Sequence, residues 1–134
     1  MFYQNMKMGF RIALVIWTIL MLTLSSMPDF QAPEGFPKYS DKVVHFFEYG
    51  IWATFFLLML KQEDRINKLL GAFITVLIFG GIMGVLDEIH QSFISGRSMD
   101  KYDFLADVIG ITTAIIIFRI FYKKPRYYIP ERKQ

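Results

Sequence analysis

LLGAFITVLIFGGIMGVLDEIHQ, residues 69–91, decides how this chain folds. Leu69–Leu86 carries no charge, and Asp87, Glu88, His90 and Gln91 then follow in quick succession. An α-helix needs about 20 predominantly apolar residues to cross a bilayer. It also satisfies its own backbone hydrogen bonds, which a lipid interior requires. The stretch therefore reads as a membrane span that ends in a polar cluster. Three other runs read the same way. Ile12–Met27 follows Lys7 and Arg11 and stops at Pro28-Asp29. Val43–Leu60 is interrupted by His45 and Glu48, and a run from about Phe104 to Tyr122 has Asp107 near its start and Arg119 near its end. The expected architecture is all-α, an integral membrane four-helix bundle with both termini cytoplasmic. It forms a single domain over residues 1–134, with spans at about 10–27, 43–60, 69–89 and 103–122 and a basic tail at 123–134.

Composition supports this reading. With 134 residues, 54% of them hydrophobic, the chain suffices for one domain. It has no cysteine, which excludes a disulfide framework and thiolate chemistry. The basic start and Ser25-Ser26 also fit a cleaved signal peptide, but that would leave three spans, so a retained first helix is expected. Orientation follows from the basic residues, which collect on the cytoplasmic side of membrane proteins. Lys7, Arg11, Lys61, Arg65, Lys68, Arg119, Lys123, Lys124, Arg126, Arg132 and Lys133 fall on one side, against Lys38, Lys42, Arg97 and Lys101 on the other. Residues 28–42 and 90–103 then face outward. The tail, with Tyr122, Tyr127 and Tyr128 beside its lysines and arginines, reads as an anchor to anionic headgroups rather than a nucleic-acid site.

The polar residues inside the spans point to a site. Ionisable groups at mid-bilayer cost roughly 2.5–3.5 kcal/mol each on insertion scales. Asp41, His45, Glu48, Tyr49 and Trp52 share one helical face by their spacing, as do Asp87 and Gln91, and Asp100, Asp103 and Asp107. Glu48, Asp87 or Glu88, and Asp107 are expected at similar depths, one to two turns below the outer surface. Simpler roles compete for several of them. Asp100 or Asp103 would cap the fourth helix, Lys42 would snorkel to the headgroups, and His90 would be an ordinary interface residue. Gly80 and Gly84, with Gly110 and Ala114, suit close helix packing.

The chemistry on offer is acid–base and anion binding. Asp87, Glu88 and His45 are the candidate catalytic groups, since crowded carboxylates drive their proton affinities apart and histidine exchanges protons near neutrality. Arg97 suits a phosphate or carboxylate. Gln91, Glu48, Asp41, Lys42, Tyr49, Asp103 and Asp107 complete the candidate ligand pocket. Clustered carboxylates also suit a hard divalent cation.

These residues fall into a pattern. Ser25-Ser26-x-Pro28, Asp41-Lys42-x-x-His45-x-x-x-Tyr49, Asp87-Glu88-x-x-Gln91, Gly96-Arg97, and then Asp103, Asp107 and Gly110 resemble the VanZ-like family. Where that pattern usually has Asn and often has Pro, this chain has Asp107 and Ser95. The resemblance implies a multi-pass protein of the bacterial cytoplasmic membrane, in a family whose founding member is associated with teicoplanin resistance. It supplies no substrate, cofactor or catalytic residue. Three functions remain open at this level: an enzyme modifying a lipid-linked envelope precursor, a non-catalytic protein binding such a ligand or a glycopeptide-related one, and a small transporter. The charge-poor cytoplasmic half of the spans argues against the last.

Overall fold

The computed structural model describes residues 2–28, 39–62 and 69–121. Helix α1 covers Phe2–Ser25, α2 Ser40–Gln62, α3 Leu69–Gln91 and α4 Lys101–Phe121. All four are long and apolar enough to cross a membrane, and no strand occurs among the described residues.

Helices α2 and α4 begin before their apolar runs, and charged residues stabilise their ends. Asp41 lies in the first turn of α2 and Lys61 in its last, while Asp103 and Arg119 take the same places in α4. Each charge complements the helix dipole. Asp100 caps α4, its Oδ1 accepting the Tyr102 N–H at 2.8 Å. Between α3 and α4 the chain turns tightly. The Phe93 N–H bonds to the His90 carbonyl, the Ile94 N–H to the Gln91 carbonyl, and the Arg97 N–H to the Ile94 carbonyl. Gly96 has a φ of 76°, a conformation that glycine adopts without steric cost.

Contacts fix the topology. Trp17 Nε1 donates to the Glu48 carbonyl at 2.9 Å, and Trp52 Nε1 donates to Thr18 Oγ1 at 3.1 Å, which joins α1 to α2. Ser25 at the end of α1 and His45 near the start of α2 both lie at Asp87, so these two helices run antiparallel. Phe73 meets Phe118 edge-on at one end of α3 and α4, and Gly84 meets Phe104 toward the other, so these two are also antiparallel. Helices α2 and α4 are parallel and touch through backbone: Gly110 abuts Phe46 and Gly50. A Cβ on Gly80 would lie 2.5 Å from Ile111 and 3.2 Å from Trp52, so this glycine admits both side chains to the core.

The core is built on Tyr49, Trp52, Leu57, Val76 and Ile111, all buried. Large apolar side chains such as Ile16, Ile74, Phe79, Ile82, Ile117 and Ile120 remain exposed around the outside. In water such a surface would aggregate; around a bundle of spanning helices it meets lipid. The basic tail, with Lys38, Arg65 and Lys68, lies outside the described residues.

Candidate functional site

The end of α1, the start of α2, the end of α3 and the start of α4 meet at one end of the bundle, and the polar residues gather there in two layers.

The layer nearer the helix ends is organised by Lys42. Its Nζ lies 2.7 Å from Asp41 Oδ2, 2.6 Å from Asp100 Oδ2 and 2.8 Å from Asp103 Oδ1. This corrects the snorkelling expected of Lys42: carboxylates from α2, α4 and the preceding loop hold its ammonium in place. Asp100 therefore both caps α4 and pairs with Lys42. That ammonium, with the Tyr102 N–H, holds the Asp100 carboxyl below the usual carboxylate range. Asp103 is buried, and its part is the Lys42 pair.

The deeper layer contains His45, Asp87, Glu88, Gln91 and Asp107, all buried. His45 Nδ1 lies 2.9 Å from Asp107 Oδ1, with the two side chains 5% and 0% exposed. Arg97 Nη2 donates to Gln91 Oε1 at 2.9 Å, and Gln91 Nε2 donates to Asp87 Oδ2 at 3.0 Å. Ser25 Oγ donates to the other oxygen of Asp87. Asp87 is thus fixed from α1, from its own helix and, through Gln91, from the Arg97 loop. Glu88 Oε2 accepts the Asp100 N–H at 2.7 Å, which ties the two layers together. Glu48 is half-buried, within electrostatic reach of His45, Asp87, Asp107 and Arg97, and the buried Tyr49 lies in the field of the same carboxylates.

Two buried oxygens in this layer have no hydrogen-bond partner, Glu88 Oε1 and Asp107 Oδ2. The second points at Gly84, where a Cβ would come within 2.9 Å. Buried polar atoms are nearly always satisfied, so each such exception calls for a reason. Among the described residues, two sets of side chains have the spacing to hold an ion: His45 with Asp87 and Glu88, and Asp41 with Asp100 and Asp103. Lys42 already serves the second set.

Glu88 also borders an open cavity of about 530 Å³ at the surface of the bundle, which it lines with Val85, Met99, Asp100, Lys101 and Phe104. Through Val85 and Phe104 this cavity continues into an apolar furrow of about 420 Å³ along Leu77, Ile78, Gly81 and Ile82.

The structure thus joins the expected residues of α2, α3 and α4 in one region, with Asp41, Lys42 and Asp103 in the layer near the helix ends. It adds two residues the site reasoning did not include. Ser25 bonds Asp87, and Ser26 Oγ lies 2.9 Å from His90 Nε2. The available signal was their place in the Ser25-Ser26-x-Pro28 element.

Known proteins narrow the identity. The family model described as VanZ/LLP1 matches residues 5–122, from within α1 past the end of α4. An uncharacterized protein of Schizosaccharomyces pombe is 28% identical over 106 residues, which cover 79% of this chain and 62% of that relative. The chain therefore spans less than two thirds of that relative's length. No solved structure matches it. The family match takes in every residue of both polar layers, and on that extent this multi-pass membrane protein belongs to the VanZ/LLP1 family.

Proposed function

We propose that the protein binds an anionic, lipid-linked ligand of the cell envelope at the polar end of its bundle. That end faces outward from a bacterial cytoplasmic membrane in this reading, with both termini inside. The observation that carries the proposal is the position of Glu88, which belongs at once to the buried polar layer and to the wall of the cavity. An amphiphile would lay an acyl chain along Leu77, Ile78, Gly81 and Ile82 and bring its headgroup to Lys101 and Glu88. Lys101 would meet the anionic group directly, and Arg97 would hold Gln91 and Asp87 in position beside it. Because Glu88 and Asp100 line the headgroup position and His45 lies behind Glu88, modification of the ligand is within the chemistry of the site. Altered sensitivity to glycopeptides such as teicoplanin would then be a secondary result of a changed envelope lipid.

Gly81 offers a clean test. A Cβ there meets nothing within 4 Å, so Gly81→Leu would fill the furrow without displacing the protein. Wild type, Gly81→Leu and Glu88→Gln would each be incubated with total envelope lipid, and bound and free species followed by native mass spectrometry. Wild type should retain an anionic lipid that Gly81→Leu retains at least about tenfold less. Equal retention by both proteins would reject the proposal. Consumption of that lipid by wild type but not by Glu88→Gln would make the protein an enzyme, whereas retention without turnover would make it a binding protein.

A further inference from the structure

We propose that His45, Asp87 and Glu88 form a binding site for a divalent zinc ion at the centre of the deeper layer. One donor atom from each residue lies within 4.8 Å of the others, and all three side chains are buried. Donors about 2.1 Å from a tetrahedral ion are about 3.4 Å apart. Torsional shifts of about 1 Å or less would therefore close the set around an ion.

Crowded acids alone would not make a site, but three other features point to a cation here. Glu88 is 3% exposed, and its Oε1 has no hydrogen-bond partner. His45 has its Nδ1 on Asp107, which leaves Nε2 as the ligating nitrogen. A carboxylate behind a histidine is the usual support of a metal-bound imidazole, because it fixes the tautomer and raises the basicity of the ligand. Asp87 has corresponding support from Ser25 and Gln91.

Charge balance favours the same conclusion. Asp87, Glu88 and Asp107 are buried together with Glu48 close by, four carboxylates that share His45 and Arg97, while Lys42 is engaged by Asp41, Asp100 and Asp103. Buried carboxylates are retained when they are paired or coordinate a metal. The donor set also selects the ion. Imidazole suits zinc and other transition metals, whereas magnesium and calcium take oxygen ligands and demand more of them than this site provides. Three protein ligands leave a coordination position open toward the cavity that Glu88 lines. The ion would stand even if the furrow held no lipid.

The test uses full-length protein in detergent, stripped with a chelator and titrated by calorimetry with Zn²⁺, Mn²⁺, Mg²⁺ and Ca²⁺. Bound metal would be counted by elemental mass spectrometry. Zn²⁺ should bind at about one per chain, at least tenfold more tightly than Mn²⁺, Mg²⁺ or Ca²⁺. His45→Gln and Glu88→Gln should each weaken binding at least tenfold while keeping the helical circular dichroism of wild type. Should either variant fail to fold, Co²⁺ bound to wild type gives a second reading. Strong visible d–d absorption would support a low-coordinate site, and the weak spectrum of an octahedral ion would overturn it. Binding undiminished in both folded variants, or equal affinity for Mg²⁺, would also overturn the proposal.

Discussion

Asp100 has three tasks. Its side chain caps α4 and pairs with Lys42, while its backbone N–H satisfies Glu88. Lys42 and the Tyr102 N–H keep its carboxyl charged below the usual value of 3.8. A carboxyl group depressed in the folded state stabilises the fold above its unfolded value, and loses that contribution as pH falls through its folded value. The Asp100 contribution should therefore be complete above about pH 4 and fade below it. Asp100→Asn retains a capping oxygen and removes the charge. Thermal unfolding between about pH 6 and pH 2 at low ionic strength should show a shallower acid-side decline in this variant than in wild type. Identical slopes would mean that the Lys42 pair contributes nothing measurable, as is common for exposed pairs. Lys42 itself shows where sequence is a poor guide. Spacing placed it at a helix start near the headgroups, but its partners Asp100 and Asp103 lie far along the chain, and no local pattern encodes that approach. Ser25 was marked by the Ser25-Ser26-x-Pro28 element, but its partner was not, because Asp87 lies 62 residues along the chain.

At the scale of helices, the pattern was far more informative. Apolar length announced the spans, and helical spacing set His45, Tyr49 and Trp52 on one buried face and Asp103 and Asp107 on another. Small residues announced close packing, and Gly80 and Gly84 do admit Ile111, Trp52, Phe104 and Asp107. The pattern did not say which helices would touch through backbone. The closest approach is between α2 and α4, where a Cβ on Gly110 would strike the Phe46 carbonyl. Gly110→Ala must push these helices apart, and overpacking of this kind costs about 1–3 kcal/mol, with the upper end expected because the obstacle is backbone. Gly81→Ala meets open space and should gain up to about 1 kcal/mol from helix propensity. Denaturation in mixed detergent micelles should order the proteins Gly81→Ala, wild type, Gly110→Ala from most to least stable. A Gly110→Ala protein as stable as wild type would contradict the packing described for α2 and α4.

For the molecule as a whole, the open question is which side of the membrane the polar end faces. The distribution of lysine and arginine predicts the outside. The chain has no cysteine, so single thiols can be introduced without interference. Ser98→Cys lies in the loop at the polar end, and Lys61→Cys lies at the opposite end of α2; both positions are exposed. In intact cells a membrane-impermeant maleimide should label Ser98→Cys at least about tenfold more than Lys61→Cys, with the difference vanishing after permeabilisation. The reverse pattern would place the site in the cytoplasm and remove the outward-facing ligand from the proposal.

The parallel contact of α2 with α4 also governs how the chain can be made. Synthesis delivers α2 to the membrane with Lys42 and His45 before any of Asp100, Asp103 or Asp107 has been translated. Until the last helix arrives, α2 is a poor resident of lipid, dependent on the insertion machinery or on water at the bilayer edge. A ribosome that stops after α3 leaves Lys42 with Asp41 but without Asp100 and Asp103, and His45 without Asp107. The pocket is therefore completed only when the last helix is in place.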